Sequence, residues 1–363
     1  IDNGNHLLLS GNQAAHSYLR AIGTEDRLIG PAHADFPFVD RASGERWTVR
    51  INDSVLPWWI FNKSWRVPGT KISEYVALAK LAFPRGRATV GEVATLSGPL
   101  YDRLVQPLLL AALNIDPPKG CARLAAAIIR ETLLKGGQAC RPLIAREGLS
   151  HAFVEPGIAF LSSRGAQVQL NRELREIHFD HDRVSALAFE GAVVEVGARD
   201  AVVLAVPPYA ASALVPDLQT PSSFHAIVNA HFRIEPPAGF PPIIGVLNAT
   251  TEWIFGFPGR LSVTISGADR LLQTPREELA RTIWGEVASV AGLSADLPPW
   301  QIVRERRATF AATPENDAKR PGTKTRWSNL FLAGDWTATG LPATIEGAIR
   351  SGQRAADLVM QRN

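Results

Sequence analysis

Cysteine is nearly missing from this chain: two occur in 363 residues, Cys121 and Cys140. Two are too few for a disulfide framework and make no metal-ligand spacing, so no metal is expected. They fit a reducing compartment. Charge is sparse and balanced, with 38 Lys and Arg against 35 Asp and Glu, a net of +3. No run clusters cations with interleaved aromatics, so no nucleic-acid partner is expected. Long apolar runs are lacking as well. The longest uncharged apolar stretch, Ala201 to Pro216, is broken by Pro207 and Pro208. It falls short of the ~20 residues of a spanning helix. No signal peptide, internal repeat or low-complexity tract is visible. The first residue is Ile1 rather than Met, as expected of a processed, trimmed or incomplete chain.

What is present excludes disorder: 46% of residues are hydrophobic and 20% charged. The length predicts two domains, interleaved along the chain. One texture is sheet-like. Ala166 to Leu170 alternates strictly and predicts a strand. Leu174–Phe179 and Val184–Phe189 flank the polar turn His181-Asp182-Arg183 and predict a hairpin. Ala201–Val206 is a continuous apolar run that suits a strand buried on both faces of a parallel sheet. Asn329–Ala333 is similar.

The other texture is helical. Tyr101–Leu113 and Cys121–Leu134 carry apolar residues at helical spacing, the second stopping at Gly136-Gly137. Thr274-Pro275 predicts a helix start with Thr as N-cap and Pro at N1, running to about Gly292. A last helix opens near Pro342–Thr344 and runs to about Met360.

The sharpest stretch is C-terminal. A buried strand ends in Gly334-Asp335-Trp336, and a short loop leads into a helix holding Gly347 and Gly352. Each glycine costs roughly 1 kcal/mol in a helix interior. That cost is understandable where another backbone or a flat ring must approach. The helix start offers free N–H groups and a positive dipole end to electron-rich ligand oxygens. Asp335, at a strand's carboxyl end, can accept hydrogen bonds from ligand hydroxyls. An ordinary strand–loop–helix with small-residue packing is the simpler alternative.

This block resembles the closing motif of the flavin amine oxidase / phytoene desaturase superfamily. The resemblance spans nearly the whole chain. It implies an FAD/NAD(P)-binding (glutathione-reductase-like) doubly wound α/β domain, interleaved with an α+β substrate domain. The expected cofactor domain is 1–22, 146–210 and 325–363, and the substrate domain is 23–145 and 211–324. The cofactor implied is FAD. Gly334 and Asp335 would meet its ribityl–pyrophosphate region. Leu341, Pro342, Ala343, Thr344 and Ile345, mainly through backbone, would face the edge of its ring. Asn3 and Gly4, in Asp2-Asn-Gly-Asn-His6, match the segment beside the flavin, and Leu174 matches a backbone contact to the adenine.

Three further stretches, Gln106–Asn114, Arg307–Pro314 and Gly334–Pro342, resemble the squalene-associated branch, the hydroxysqualene dehydroxylases. The implied activity is FAD-dependent reductive removal of a hydroxyl from hydroxysqualene, giving squalene for hopanoids. A carotenoid-type desaturase or an amine oxidase on the same fold is the runner-up. An amine oxidase usually needs an aromatic pair, and only Trp336 lies near the motif. His6 is the expected proton donor, or else a residue that fixes the cofactor or a loop. His225 and His231 could line a substrate cavity, or be ordinary strand histidines. Glu346 reads equally as a helix first-turn carboxylate. Arg304, Glu305, Arg306 and Arg307 read as the solvated face of a strand, or as a contact near the cofactor.

The family's Gly-x-Gly-x-x-Gly turn is absent from this sequence. The expectation is therefore a domain incomplete at its N-terminus, lacking its first strand–turn–helix unit. Such a chain would bind FAD poorly, and a non-catalytic remnant stays open as a third reading. Finally, Leu56 to Phe61, with Lys63, Trp65 and Arg66, sets aromatics beside cations. That composition suits an interfacial patch, or a core cluster under a loop. The expected partners are an isoprenoid small molecule, an unidentified electron donor and a membrane surface touched peripherally from the cytoplasm.

Overall fold

The computed structural model describes residues 2–94 and 97–362. Fifteen strands and ten α-helices are found among them. The largest unit is a seven-stranded sheet. Its order is β14 (Trp300–Phe310), β10 (Phe224–Phe232), β13 (Arg260–Ile265), β12 (Trp253–Phe257), β11 (Ile243–Leu247), β3 (Ala34–Asp40), β4 (Arg46–Ile51). All neighbours run antiparallel except β11 and β3, which are parallel. Strands far apart in sequence thus close one sheet.

The period-2 alternation of these strands sorts their side chains between two faces. Val228, Ala230 and Phe232 of β10 pack with Leu261, Val263 and Ile265 of β13 under helix α8 (Arg276–Ala291). Phe232 and Trp284 meet there with ring centroids 5.1 Å apart. The opposite face changes character across the sheet. It is aromatic and aliphatic at β12, β11, β3 and β4, through Trp253, Phe255, Phe257, Ile243, Phe36 and Phe38. At β10 and β13 it is polar, and this part of the face receives the start of the chain.

Three smaller sheets complete the molecule. β1 (Leu8–Leu9), β5 (Pro142–Ala145) and β2 (Leu28–Ile29) form one, with β5 central. β6 (Leu174–Asp180), β7 (Arg183–Phe189) and β8 (Ala192–Glu195) form the expected hairpin plus a third strand. β9 (Val202–Leu204) and β15 (Leu330–Leu332) pair in parallel. The remaining helices are α1 (Gln13–Ile22), α2 (Ile72–Leu78), α3 (Val90–Val93), α4 (Gln106–Leu113), α5 (Ala122–Glu131), α6 (Glu155–Ser163), α7 (Pro208–Leu214), α9 (Pro314–Ala318) and α10 (Ile345–Met360).

Several local expectations need correction. Ala166–Leu170 is exposed irregular chain, not a strand, because its alternation meets no partner edge. β9 is parallel as expected but not buried on both faces: Val203 is 43% exposed. Helix α8 starts one residue late, with Pro275 itself at the N-cap and no side-chain cap. Its stop at Gly292, in the left-handed region at φ 67°, is where the sequence puts it. The helix over 101–113 opens as a wider π turn before α4. Gly352 is approached by nothing within 4 Å, so no close packing explains it.

Candidate functional site

Three segments hold most of the expected site residues. The first is Asp2 to His6. Asn5 donates to Thr264 Oγ1 (3.1 Å), Thr264 Oγ1 donates to Asn229 Oδ1 (2.7 Å), and Asn229 donates to the Asn3 carbonyl (3.1 Å). This closed circuit ties the segment to β10 and β13. Its other end is fixed by Asp2. The Asp2 carboxylate accepts from the Leu149 amide (2.6 Å), the Ser150 amide (3.1 Å) and the Ser150 hydroxyl (2.6 Å). Burial works against ionisation, yet these hydrogen bonds hold the Asp2 carboxyl below its usual range. Gly148, at φ 112°, must be glycine: a Cβ there would stand 2.4 Å from Asp2 Oδ2.

His6 sits between these anchors. Its side chain is open to solvent, yet it lies deep among neighbouring atoms. Such a position lines a recess. Burial pushes the imidazole pKa below 6.5, with the charge of Asp2 opposing. Gly4 lies alongside, its Cβ position 3.6 Å from His6 Nε2.

The second segment is the loop from Gly334 to Thr344. Gly334 adopts φ 135°, and a Cβ there would collide with the indole of Trp336 at 2.5 Å. Its amide donates to Ser351 Oγ (2.7 Å), tying the strand end to α10. Asp335 is left without a side-chain hydrogen-bond partner among the described residues. Burial raises its carboxyl pKa, and the Arg320 guanidinium and the backbone amides of Trp336 and Asp335 only partly offset this. A half-buried carboxylate whose partners are backbone amides keeps lone pairs with which it can accept from a ligand hydroxyl.

Arg320 organises this loop. It is buried, donating to the carbonyls of Asp335 (2.9 Å), Trp336 (3.4 Å) and Thr337, and to Thr339 Oγ1 (2.9 Å). Asp317 pairs with it at 3.1 Å, and the guanidinium lies 4.9 Å over the Phe310 ring.

The third segment is the start of α10. Thr344 caps the helix by accepting from the Gly347 amide (3.0 Å). The next two amides, Ile345 and Glu346, find no protein acceptor among the described residues. Gly347 packs tightly, with a Cβ position 3.2 Å from Thr344 Oγ1 and 3.4 Å from the Pro342 carbonyl. Leu341 and Pro342 are buried, whereas Ala343, Thr344 and Ile345 are half-buried. Leu8, two residues beyond His6, clusters with Ile345 and Ile349, which brings the first and third segments together.

Other expected residues take different parts. Glu346 turns away from the loop and caps a second helix, accepting from the Ala14 (3.1 Å) and Ala15 (2.9 Å) amides. Arg350 joins Glu346 to Glu131 through a fork of hydrogen bonds. His225 is tied to Asp269 (2.7 Å), and His231 is buried against Ser262 (2.9 Å), so both are strand histidines with partners. Trp336 is core, its Nε1 donating to the Val206 carbonyl (2.9 Å). Leu174 opens β6 and packs against the core that contains Leu204, Leu330 and Leu332. Arg304 reaches the Leu272 and Thr274 carbonyls, and Arg307 lies 4.7 Å over Tyr209.

Sequence reasoning missed Arg320, Asp317, Asn229 and Thr264. Asn229 and Thr264 sit on alternating strands, which mark them only as polar positions, and each of the four acts across a tertiary contact. Among the described residues no group of His, Cys, Asp or Glu could hold a metal. Cys140 is inert, its thiol pushed up to about 12 by burial.

The arrangement suits a large ligand carrying hydroxyls, held by Asp335, the tight Gly334 turn and the free amides of α10, with His6 at hand. The profile of the flavin containing amine oxidoreductases matches residues 1–360. A hydroxysqualene dehydroxylase of Rhodopseudomonas palustris is 59% identical, covering 99% of this chain and 86% of that protein. One from Zymomonas mobilis is 45% identical, covering 100% and 88%. A putrescine oxidase redesigned in its cofactor binding superposes with a TM-score of 0.69 at 16% identity, over 100% of this chain and 88% of that one.

Proposed function

The chain belongs to the flavin containing amine oxidoreductases, and within them to the hydroxysqualene dehydroxylases; from that premise we propose that it removes the hydroxyl of hydroxysqualene reductively, yielding squalene, with FAD as its flavin. The identity that runs along nearly the whole chain carries this reading. The Asp335 carboxylate and the two unpartnered amides at the start of α10 support a bound flavin.

In this reading Asp335 accepts hydrogen bonds from the ribityl chain, and Gly334 allows the backbone close. Leu341 to Ile345 would face the ring edge, mainly through backbone, Asn3 and Gly4 would lie beside the flavin, and Leu174 would meet the adenine through backbone. Segments 1–22, 146–210 and 325–363 serve the cofactor, and 23–145 and 211–324 serve the substrate.

The reaction breaks the allylic C–O bond, and the electron pair leaves with oxygen. His6 delivers the proton that lets this oxygen depart as water. Burial favours the neutral imidazole, so a protonated His6 is a stronger acid than a histidine in water. FAD, when bound in its reduced form, supplies the hydride that makes the new C–H bond. A separate two-electron donor restores it. A long isoprenoid calls for a site lined by apolar side chains with few polar groups. The membrane is its reservoir, and the protein contacts it peripherally.

Product analysis tests this. The purified enzyme with a chemical reductant should convert hydroxysqualene to squalene and leave phytoene untouched. Desaturation of phytoene, with no squalene formed, would overturn the reading in favour of a carotenoid-type activity.

A further inference from the structure

The polar and apolar groups around residues 55–87 are distributed unlike those of the rest of the molecule. Among the described residues, every strongly exposed Trp or Phe falls here: Trp58, Phe61 and Phe83. Val55, Leu56 and Val76 accompany them, and all six are more than half exposed. Scattered single apolar side chains are ordinary on a surface, but three large aromatics gathered in less than a tenth of the chain are not.

They sit on a rigid base. Trp59, which composition alone assigns to this exposed patch, is buried instead, and its ring meets Tyr75 edge-on at 5.2 Å. Tyr75 Oη in turn accepts from the Val67 amide (3.1 Å). The turn carrying Trp58 and Phe61 is thus locked to α2, which carries Val76. Trp58 and Phe61 lie side by side, 6.1 Å between centroids.

Charge is equally uneven. Residues 53–87 hold Lys63, Arg66, Lys71, Lys80, Arg85 and Arg87 against Asp53 and Glu74, 6 − 2 = +4. The whole chain carries +3, so everything else sums to −1. None of these six cations is in an ion pair among the described residues. Exposed aromatic and aliphatic tips on a segment that carries unpaired cations complement an anionic lipid surface, where rings settle at headgroup depth and Lys and Arg meet phosphates.

The patch is tied through α5 to α10. Consecutive residues of α5 link the two: Arg130 donates to the Ala82 carbonyl (2.8 Å) beneath the patch, and Glu131 grips Arg350 of α10.

We propose that Val55, Leu56, Trp58, Phe61, Val76 and Phe83, with Lys63, Lys71 and Lys80 of the same segment, form a docking face for an anionic membrane surface. It deepens the membrane contact of the proposed function and rests on that reading only for its purpose, which is to draw an insoluble isoprenoid from lipid.

The test is co-sedimentation of the intact flavoenzyme with vesicles of phosphatidylcholine alone or with phosphatidylglycerol. Binding should favour the anionic vesicles and fall with salt. Lys63→Gln/Lys71→Gln/Lys80→Gln should lose roughly 100-fold on anionic vesicles, about fivefold per cation, and little on neutral ones. Trp58→Ala/Phe61→Ala/Phe83→Ala should lose at least tenfold on both. Each variant should keep wild-type turnover of detergent-dispersed hydroxysqualene, since none of these residues belongs to the site. Equal partitioning of wild type and both variants overturns the proposal. So does a dimer in sedimentation velocity that the aromatic variant dissolves, because the face would then be covered by a second copy. Absent turnover in detergent with intact vesicle binding would instead fault the proposed reaction.

Discussion

Replacing Arg320 with Met removes the group that shapes the Gly334–Leu341 loop. The guanidinium serves three backbone carbonyls, Thr339 Oγ1 and Asp317 in a buried setting. Met fills a similar volume but donates nothing. Three carbonyls lose a charged donor, at about 1 kcal/mol each at the low end. Asp317 loses one of two cationic partners and keeps Arg123, so its penalty is nearer 1 kcal/mol than the ~3–5 of a fully stranded charge. The sum is about 4 kcal/mol, against a total stability of ~5–15 kcal/mol. Thermal unfolding should drop by about 10 °C, at roughly 2–4 °C per kcal/mol for a chain this large. Because Asp335 rides on this loop, flavin titration should show affinity weakened tenfold or more. Arg320→Lys can still face Asp317 but cannot span the carbonyls, and should fall between. A melting temperature within 2 °C of wild type, with unchanged flavin affinity, would refute the idea that this guanidinium sets the loop.

Three titrations follow from burial. His231 is held down to about 4, so the unfolded chain binds its proton first. Stability should fall by about 3 kcal/mol as pH drops from 6.5 to 4, and urea midpoints of His231→Gln should show a shallower fall. Glu252 is pushed up to about 7 by burial, outweighing the Ser266 amide and Arg270. Stability should decline by about 3 kcal/mol as pH rises from 4.5 to 7; Glu252→Gln should be the more stable protein at pH 8, and an unchanged midpoint there would count against the buried carboxyl. For His6, lowered below 6.5, kcat/KM should climb as pH falls toward the imidazole pKa. His6→Gln should lose roughly 100-fold and that climb, and a variant with the wild-type pH profile would exclude His6 as the donor.

Local chemistry made part of this protein legible in its residues. The β6–β7 hairpin follows from a polar turn between alternating segments. The cap of α10 follows from Thr344, the stop of α8 from Gly292, and the Gly334-Asp335 turn from a strand that must end abruptly. Each is governed by a few consecutive side chains and the backbone they flank, so a linear reading reaches them. The apparent strand at Ala166–Leu170 fails for the complementary reason: alternation specifies two faces, but a strand also needs an edge to pair with.

Only the folded chain decides which partners stand across space. Asn229 meets Asn3 across 226 positions, Asn5 meets Thr264 across 259, and Glu346 caps α1 across 332. Hydrogen bonds act over about 3 Å, so such pairs exist only once the sheets have brought distant segments together, and no spacing rule encodes them. The same holds for charge. The sequence supplies Arg320 and Glu346 as two more ionisable residues, and packing makes one the organiser of a loop and the other the cap of a neighbouring helix.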